Sequence, residues 1–216
     1  MGGSPRALVL RMTRLKPVPG VEGIRLHQAD DVLTLWQATQ QATGDPDEPV
    51  PFWAFAWGGG LAIAAYLRDH PEAVAGRRVL DMASGSGLCA FAASRAGAAE
   101  VTAVDVDPYA VAAIGLNAYA NRLKVSVIRA DLLDDEPPDV DVILAGDCWY
   151  EHWFAERITA WLQRARDRGI DVLIGDPDRR YLPTDAVERV ATYAVRTTTD
   201  LEDRGRTSAG VHVLKG

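Results

Sequence analysis

Asp81 and Asp105 each end an apolar run, in VLD and VTAVD. An acid there has to meet something polar, because an unpaired carboxylate in apolar surroundings is expensive. Just beyond Asp81 stand Ser84, Gly85, Ser86 and Gly87. Gly85 and Gly87 let backbone N–H groups approach a ligand closely at a helix start, where unpaired donors and the dipole favour electron-rich groups. Residues 85–90, GSGLCA, also satisfy the dinucleotide fingerprint GxGxxA, and Asp105 follows twenty residues on, where a carboxylate grips ribose hydroxyls. A nicotinamide oxidoreductase is therefore one reading. Against it, Asp81 stands four positions before Gly85, where a carboxylate repels a pyrophosphate and suits a cationic amino group. A second pair, Asp147 and Tyr150, forms D-x-x-Y where another apolar stretch ends.

The elements that must position these residues follow from periodicity and punctuation. Residues 30–44 read as an accessory helix with Asp30 or Asp31 as N-cap and Gly44 as its stop. The Pro-rich stretch 45–52 is an extended linker, and Gly58, Gly59 and Gly60 open a helix that Pro71 closes. Strands at 77–82, 100–105, 124–129, 140–146 and 170–175 alternate with helices at 87–96, 108–121 and 151–168. Repeated β–α units predict an α/β class, Rossmann-like doubly wound parallel sheet, with Asp147 at the carboxyl edge where such sheets bind ligands. Asp107 reads as an N-cap followed by Pro108 at the first helical position. Residues 192–203 and 206–216 are β-rich and joined at Arg204-Gly205, which predicts an antiparallel hairpin at the sheet edge. Residues 131–141 read as a solvated acidic loop. Residues 1–25 carry Arg6, Arg11, Arg14 and Lys16 and read as a flexible basic tail, ahead of a single domain 26–216 with an N-terminal helical extension, 26–70.

Composition narrows the classes. The chain has 216 residues, 48% of them hydrophobic, which suits one large α/β core. A net charge of −7 argues against a nucleic-acid partner held through phosphates. No apolar run approaches the roughly 20 residues of a membrane span, and the first twenty residues are too broken for a secretory signal. Cys89 and Cys148 lack CxxC spacing and fit a reducing, cytoplasmic setting. His27, His70, His152 and His212 show no ligand spacing, so no metal is expected, and His152 reads as a surface helix position. High arginine and alanine usage points to a bacterial genome.

An acidic end, a ribose-gripping acid and no phosphate site suit S-adenosylmethionine, which offers a ribose, an ammonium and a sulfonium. At this point the chain resembles the seven-stranded S-adenosylmethionine-dependent methyltransferases, whose first motif is an acid-x-Gly-x-Gly-x-Gly turn. Here the turn reads Asp81-Met82-Ala83-Ser84-Gly85-Ser86-Gly87, with Ala83 at the first glycine, so its backbone must keep φ negative or accept strain. The resemblance implies a seven-stranded sheet, with Asp81, Ser84, Gly85, Gly87 and Asp105 on the cofactor. Residues 128–135, IRADLLDD, resemble the third motif and imply that Asp131 accepts from the adenine amino group.

The D-x-x-Y pair resembles that of the protein lysine methyltransferases of this class. Residues 51–67, PFWAFAWGGGLAIAAYL, resemble a segment of the electron transfer flavoprotein β-subunit lysine methyltransferases, whose bacterial relatives are labelled nicotinamide N-methyltransferase-like. That resemblance implies a protein-lysine N-methyltransferase acting on the flavoprotein β-subunit, with no nucleic-acid or membrane partner and a monomeric state. Asp147 then orients the amine, Tyr150, Trp53 and Trp149 wall its channel, and Trp57 lies against the cofactor; Trp149 serves equally as core. A small-molecule N-methyltransferase remains the alternative, and a binding protein without activity a remoter one.

Overall fold

The computed structural model describes residues 4–196 and 208–215. Ser4 caps α1 (Pro5–Met12), and strands β1 (Arg14–Val18) and β2 (Val21–Gln28) pair antiparallel behind it. The expected flexible tail is therefore corrected. Its cationic side chains Arg6, Arg11 and Arg14 face solvent and Lys16 pairs with Asp30, while Leu8, Val9, Ile24 and Leu26 are buried on the opposite side. Gly20, at φ +77°, makes the turn between the strands.

Asp31 accepts the N–H of Thr34 at 2.7 Å to start α2 (Val32–Thr43), and Gly44 ends it in the left-handed region, as the cap signals predict. Helix α3 (Gly58–Asp69) stops before Pro71. Then come β3 (Arg78–Met82), α4 (Leu88–Arg95), β4 (Glu100–Asp105), α5 (Pro108–Asn121), β5 (Ser126–Arg129), β6 (Val142–Gly146), α6 (His152–Asp167) and β7 (Asp171–Asp176). The acidic stretch 131–141 is a loop. Two further strands, β8 (Val187–Ala194) and β9 (Ser208–Leu214), pair antiparallel. The first begins earlier than its sequence implies, and the predicted Arg204-Gly205 turn lies outside the described residues.

Seven strands form one sheet in the order β5-β4-β3-β6-β7-β9-β8, parallel from β5 to β7 and antiparallel from there on. Alternate residues feed two cores, as a pleated strand with both faces covered requires. Val79, Ala103, Val142, Leu144 and Leu173 pack with α3, α4 and α5 on one face. Leu80, Met82, Val104, Ile143 and Ile174 pack with α6 on the other. A third cluster joins α1, α2, Trp53, Phe55 and α5. Strand order reverses between β3 and β6, so the carboxyl ends of β3, β4 and β6 open on one crevice, the place where doubly wound sheets take ligands. Among the described residues no helix is long and apolar enough to cross a membrane.

Candidate active site

That crevice is a cleft of about 1520 Å³. One drug-sized ligand typically fills roughly 300–1,000 Å³, so there is room for two reactants side by side. Its wall includes Trp53, Trp57, Asp81, Ser84, Gly85, Asp105, Asp131, Asp147, Tyr150 and Arg179.

At one end the glycine turn is built from three left-handed residues: Ala83 at φ +50°, Gly85 at +54° and Gly87 at +87°. Ala83 thus accepts the strained conformation, the second of its two options. A Cβ at Gly87 would stand 2.6 Å from Phe91 Cζ, whereas one at Gly85 would meet nothing nearer than Trp53 Cα at 3.9 Å. Gly87 serves packing and Gly85 leaves open space. The Gly85 N–H donates to Asp105 Oδ2 at 2.8 Å, and the Asp107 N–H to Asp105 Oδ1 at 3.0 Å. Asp107 caps α5 by accepting from the Tyr109 N–H at 2.7 Å, as read from the sequence.

Asp81 is buried, and its Oδ2 accepts both the Ser84 hydroxyl at 2.5 Å and the Ala90 N–H at 3.0 Å, tying the turn to α4. Both bonds fall on one oxygen, so Oδ1 remains for a ligand. Burial pushes the Asp81 carboxyl up to about 7, against the pull of those two donors, and the Asp105 charge adds to the rise. Burial likewise raises Asp105, and lifts Asp107 to about 6 with the Asp105 charge again adding to it. Three acids whose ionisation burial disfavours are stabilised as carboxylates by a cation and not by a phosphate, so the turn suits a cation.

Around the other end, Asp147 sits at φ +62°, a conformation aspartate tolerates better than most residues. Its carboxylate takes three donors: Gly59 N–H at 2.9 Å and Gly60 N–H at 2.6 Å from the start of α3, and Arg179 Nη1 at 2.5 Å. A carboxylate has roughly four lone-pair positions, so about one is left for a ligand. Arg179 also reaches Asp176 Oδ2 at 3.3 Å, and its own N–H donates to Asp176 Oδ1 at 2.6 Å. Over this end runs a chain of rings: Trp57 to Phe52 at 5.6 Å, Phe52 to Tyr150 at 5.2 Å, Tyr150 to Phe154 at 5.7 Å. The Trp57 indole N–H donates to the Phe52 carbonyl at 2.7 Å, fixing the ring that starts the chain.

The structure brings the expected residues to one cleft apart from Gly87, whose place is in the packing against Phe91. Trp53 is buried beside the glycine turn, stacked on Tyr109 at 6.4 Å, with its indole N–H lacking a partner. It lines the cleft at the end that holds the glycine turn. Trp149 also borders the cleft, fully buried in the core around α6 with its N–H on Thr159 at 3.1 Å. Asp131 faces the cleft and accepts from the Leu133 N–H at 3.0 Å and from Arg157 at 3.3 Å. His152 starts α6 at the surface, beside Glu156. Arg179, Asp176, Phe52 and Phe154 were not foreseen. Asp176 carried a signal, since DVLIGD is another apolar strand ending in an acid; Arg179, in a polar loop, carried none.

Comparison with known proteins locates this geometry. A family model described as ribosomal protein L11 methyltransferase matches residues 66–146. The chain is 34% identical to the electron transfer flavoprotein beta subunit lysine methyltransferase of Xenopus laevis, over 96% of this chain and 85% of that one. It is 36% identical to the Homo sapiens protein of the same name, over 74% of this chain and 64% of that one, and so spans just under two thirds of the human relative. Among solved structures, a Thermus thermophilus 16S rRNA N2 G1207 methyltransferase, in complex with AdoMet and guanosine, is similar with a TM-score of 0.51 and 23% identity, over 74% of this chain and 44% of that one. At that identity it speaks for the fold alone.

Proposed function

The chain belongs to the electron transfer flavoprotein β-subunit lysine methyltransferase family, and from that premise we propose that it methylates a lysine of the flavoprotein β-subunit, with Asp147 as the residue that receives the amine. It is an S-adenosylmethionine-dependent methyltransferase. The nicotinamide oxidoreductase reading falls with that membership.

The residues present fit such a cofactor. Acids Asp81, Asp105 and Asp107 crowd the glycine turn, Gly85 leaves space, and the buried Trp53 N–H lacks a partner there. In this reading Asp81 Oδ1 takes the cofactor's ammonium, Asp105 its ribose hydroxyls and Asp131 its adenine amino group, with Trp57 against it. When bound, the cofactor supplies a methyl group on a positively charged sulfur.

The chain's own residues prepare the other reactant. A free lysine ammonium has a pKa of roughly 10.4 and no lone pair to offer. Desolvation beneath the Phe52–Tyr150 rings and a neighbouring cation both favour the neutral amine. The ring faces also attract the alkylammonium as it enters, worth roughly 0.5–2 kcal/mol each. Asp147 then accepts one amine N–H and aims the nitrogen lone pair; its hold by Gly59, Gly60 and Arg179 fixes that direction. Alignment rather than strong base catalysis carries the rate, and well-oriented reactants save up to roughly 7–11 kcal/mol of barrier.

The observation that carries this reading is the Asp147 carboxylate, held from three sides in the same cleft as the acid-rimmed glycine turn. Asp147→Asn should lower kcat/KM for methyl transfer to purified electron transfer flavoprotein by at least about a hundredfold, since misplacement of a reactant by about 1 Å costs that much. Its affinity for S-adenosylhomocysteine, measured by calorimetry, should stay within about threefold. Wild-type turnover in the variant, or label appearing only in small amines, would refute the role or the substrate respectively.

A further inference from the structure

Trp153 stands 57% exposed at the start of α6, and the helix does not need it for packing, since Ala155, Ile158, Trp161, Leu162 and Ala165 seat it on the sheet. The Trp153 indole N–H donates to the Glu151 carboxylate, so the ring is held and its apolar faces are what it offers. A single exposed ring is ordinary on a protein surface, but a contiguous apolar patch marks an interaction site. Trp153 meets Phe154 at 5.7 Å between centroids, Phe154 meets Tyr150 at 5.7 Å, and Tyr150 meets Phe52 at 5.2 Å. Tyr150 is 42% exposed and Phe52 36%. All four border the cleft, so the row runs from the rings over its Asp147 end out into solvent.

We infer that the row from Phe52 to Trp153 is a docking surface for the stretch of the flavoprotein β-subunit that carries the methylated lysine, with an apolar side chain of that stretch set over Trp153. The inference rests on the reading of Asp147 as the amine acceptor and the flavoprotein as substrate. A lysine whose nitrogen reaches Asp147 brings its own backbone to the mouth of the cleft, where the row begins. Three ring-to-ring steps lie between Phe52 and Trp153, which an extended chain covers in about five residues. Tryptophan is prominent among the residues that dominate protein interfaces, and a ring already fixed by Glu151 loses little freedom on contact. A small amine at Asp147 would leave the outer rings uncovered. Nucleic-acid bases also stack on such rings, but Asp47, Glu48 and Glu151 line the same cleft and oppose a phosphate chain, whereas Arg157 is taken by Asp131 and Asp134.

Removing the outermost ring tests this. In Trp153→Ser the KM for purified electron transfer flavoprotein should rise at least about tenfold, with kcat changed less than about threefold. Inhibition by Nα-acetyl-lysine methylamide, which is too short to reach Trp153 from Asp147, should change less than about twofold. Trp153→Phe keeps an apolar ring and should hold the KM within about threefold of wild type. S-adenosylhomocysteine affinity, unchanged within about twofold, certifies that each variant is folded. An unchanged KM in Trp153→Ser would overturn the inference, and so would an equal loss for the flavoprotein and the small amide. Dissociation of a wild-type dimer by the same substitution, seen in sedimentation, would assign the row to a second copy and overturn it as well.

Should a variant fail the folding check, the wild-type enzyme decides. Peptides with one lysine in a serine–glycine background, and one leucine walked along it, can be compared as inhibitors of flavoprotein methylation. Leucine at one place within about five residues of the lysine should improve inhibition at least about fivefold. Equal inhibition by every peptide would overturn the inference. Full activity in Asp147→Asn would instead remove the reading beneath it.

Discussion

Asp81 shows how much a single side chain can reveal. The acid closing VLD in an apolar strand announced a polar partner, and the structure supplies two, the Ser84 hydroxyl and the Ala90 N–H. Those partners do not offset its burial, so it holds a proton to about 7, whereas an unfolded aspartate loses it near 3.8. Between those values the folded state binds more protons than the unfolded one, and stability falls as pH rises. His27 and His212, both lowered by burial, act with the opposite sign below 6.5. Comparison with Asp81→Asn removes them, since both proteins carry the same histidines. From pH 5 to 8 the variant should gain about 2–3 kcal/mol relative to wild type, read as a widening gap in denaturant midpoints. A constant gap would mean that Asp81 is ionised throughout. The same reasoning applied to DVLIGD would have found Asp176, whereas Arg179 is invisible in sequence because only the fold brings its loop to Asp147. Trp53 and Trp149 were legible as aromatics near motifs, but which face of the cleft each meets depends on tertiary packing.

At the scale of elements, the cap and breaker residues carried most of the information. Asp31, Gly44, Asp107 and Pro71 mark helix ends where local chemistry places them. What they could not tell is how α3 docks. A Cβ on Gly175 would stand 2.1 Å from the Gly59 carbonyl oxygen, and one on Gly59 would stand 2.1 Å from that of Gly175. The helix start and the last turn of β7 therefore touch backbone to backbone, a pairwise fact that neither GGG nor LIGD discloses alone. This contact lets the Gly59 and Gly60 amides reach Asp147, while the Asp147 N–H donates to the Gly175 carbonyl at 2.8 Å. Gly175→Ala should push α3 outward at a cost of roughly 1–3 kcal/mol. At a few degrees per kcal/mol for a chain of this size, the melting temperature should drop roughly 3–10 °C. Methyl transfer should fall more than S-adenosylhomocysteine affinity, because the displaced amides belong to Asp147. An unchanged melting temperature would show that the two backbones have room to spare.

For the molecule as a whole, the N-terminal layer is the part the sequence concealed, because the exposed Arg6, Arg11 and Arg14 on α1 and β1 are as many as the buried Leu8, Val9 and Val18 that seat them. Ile24 and Leu26 on β2 do alternate inward, yet the run is too short and too mixed to announce itself. Its connection to the cleft passes through Asn117, buried on α5. The Asn117 Oδ1 accepts the His27 N–H at 2.7 Å, and its Nδ2 donates to the Ser86 carbonyl at 2.9 Å. One amide thus ties β2 to the glycine turn, and Asn121, one helical turn on, exchanges bonds with the Arg25 backbone at 2.9 and 2.6 Å. Replacing Asn117 by leucine keeps the volume and strands two backbone groups, each worth about 1–3 kcal/mol when buried without a partner. If the layer only covers α5, that loss should appear in stability alone. If it also holds the turn in its left-handed path, S-adenosylhomocysteine affinity should fall at least about fivefold in Asn117→Leu, whereas Asn121→Ala, which leaves the Ser86 bond intact, should lower stability with affinity nearly unchanged. We expect the second pattern, because Ser86 lies between Gly85 and Gly87, and in a turn strained at Ala83 the Asn117 bond acts together with those from Asp81 and Asp105.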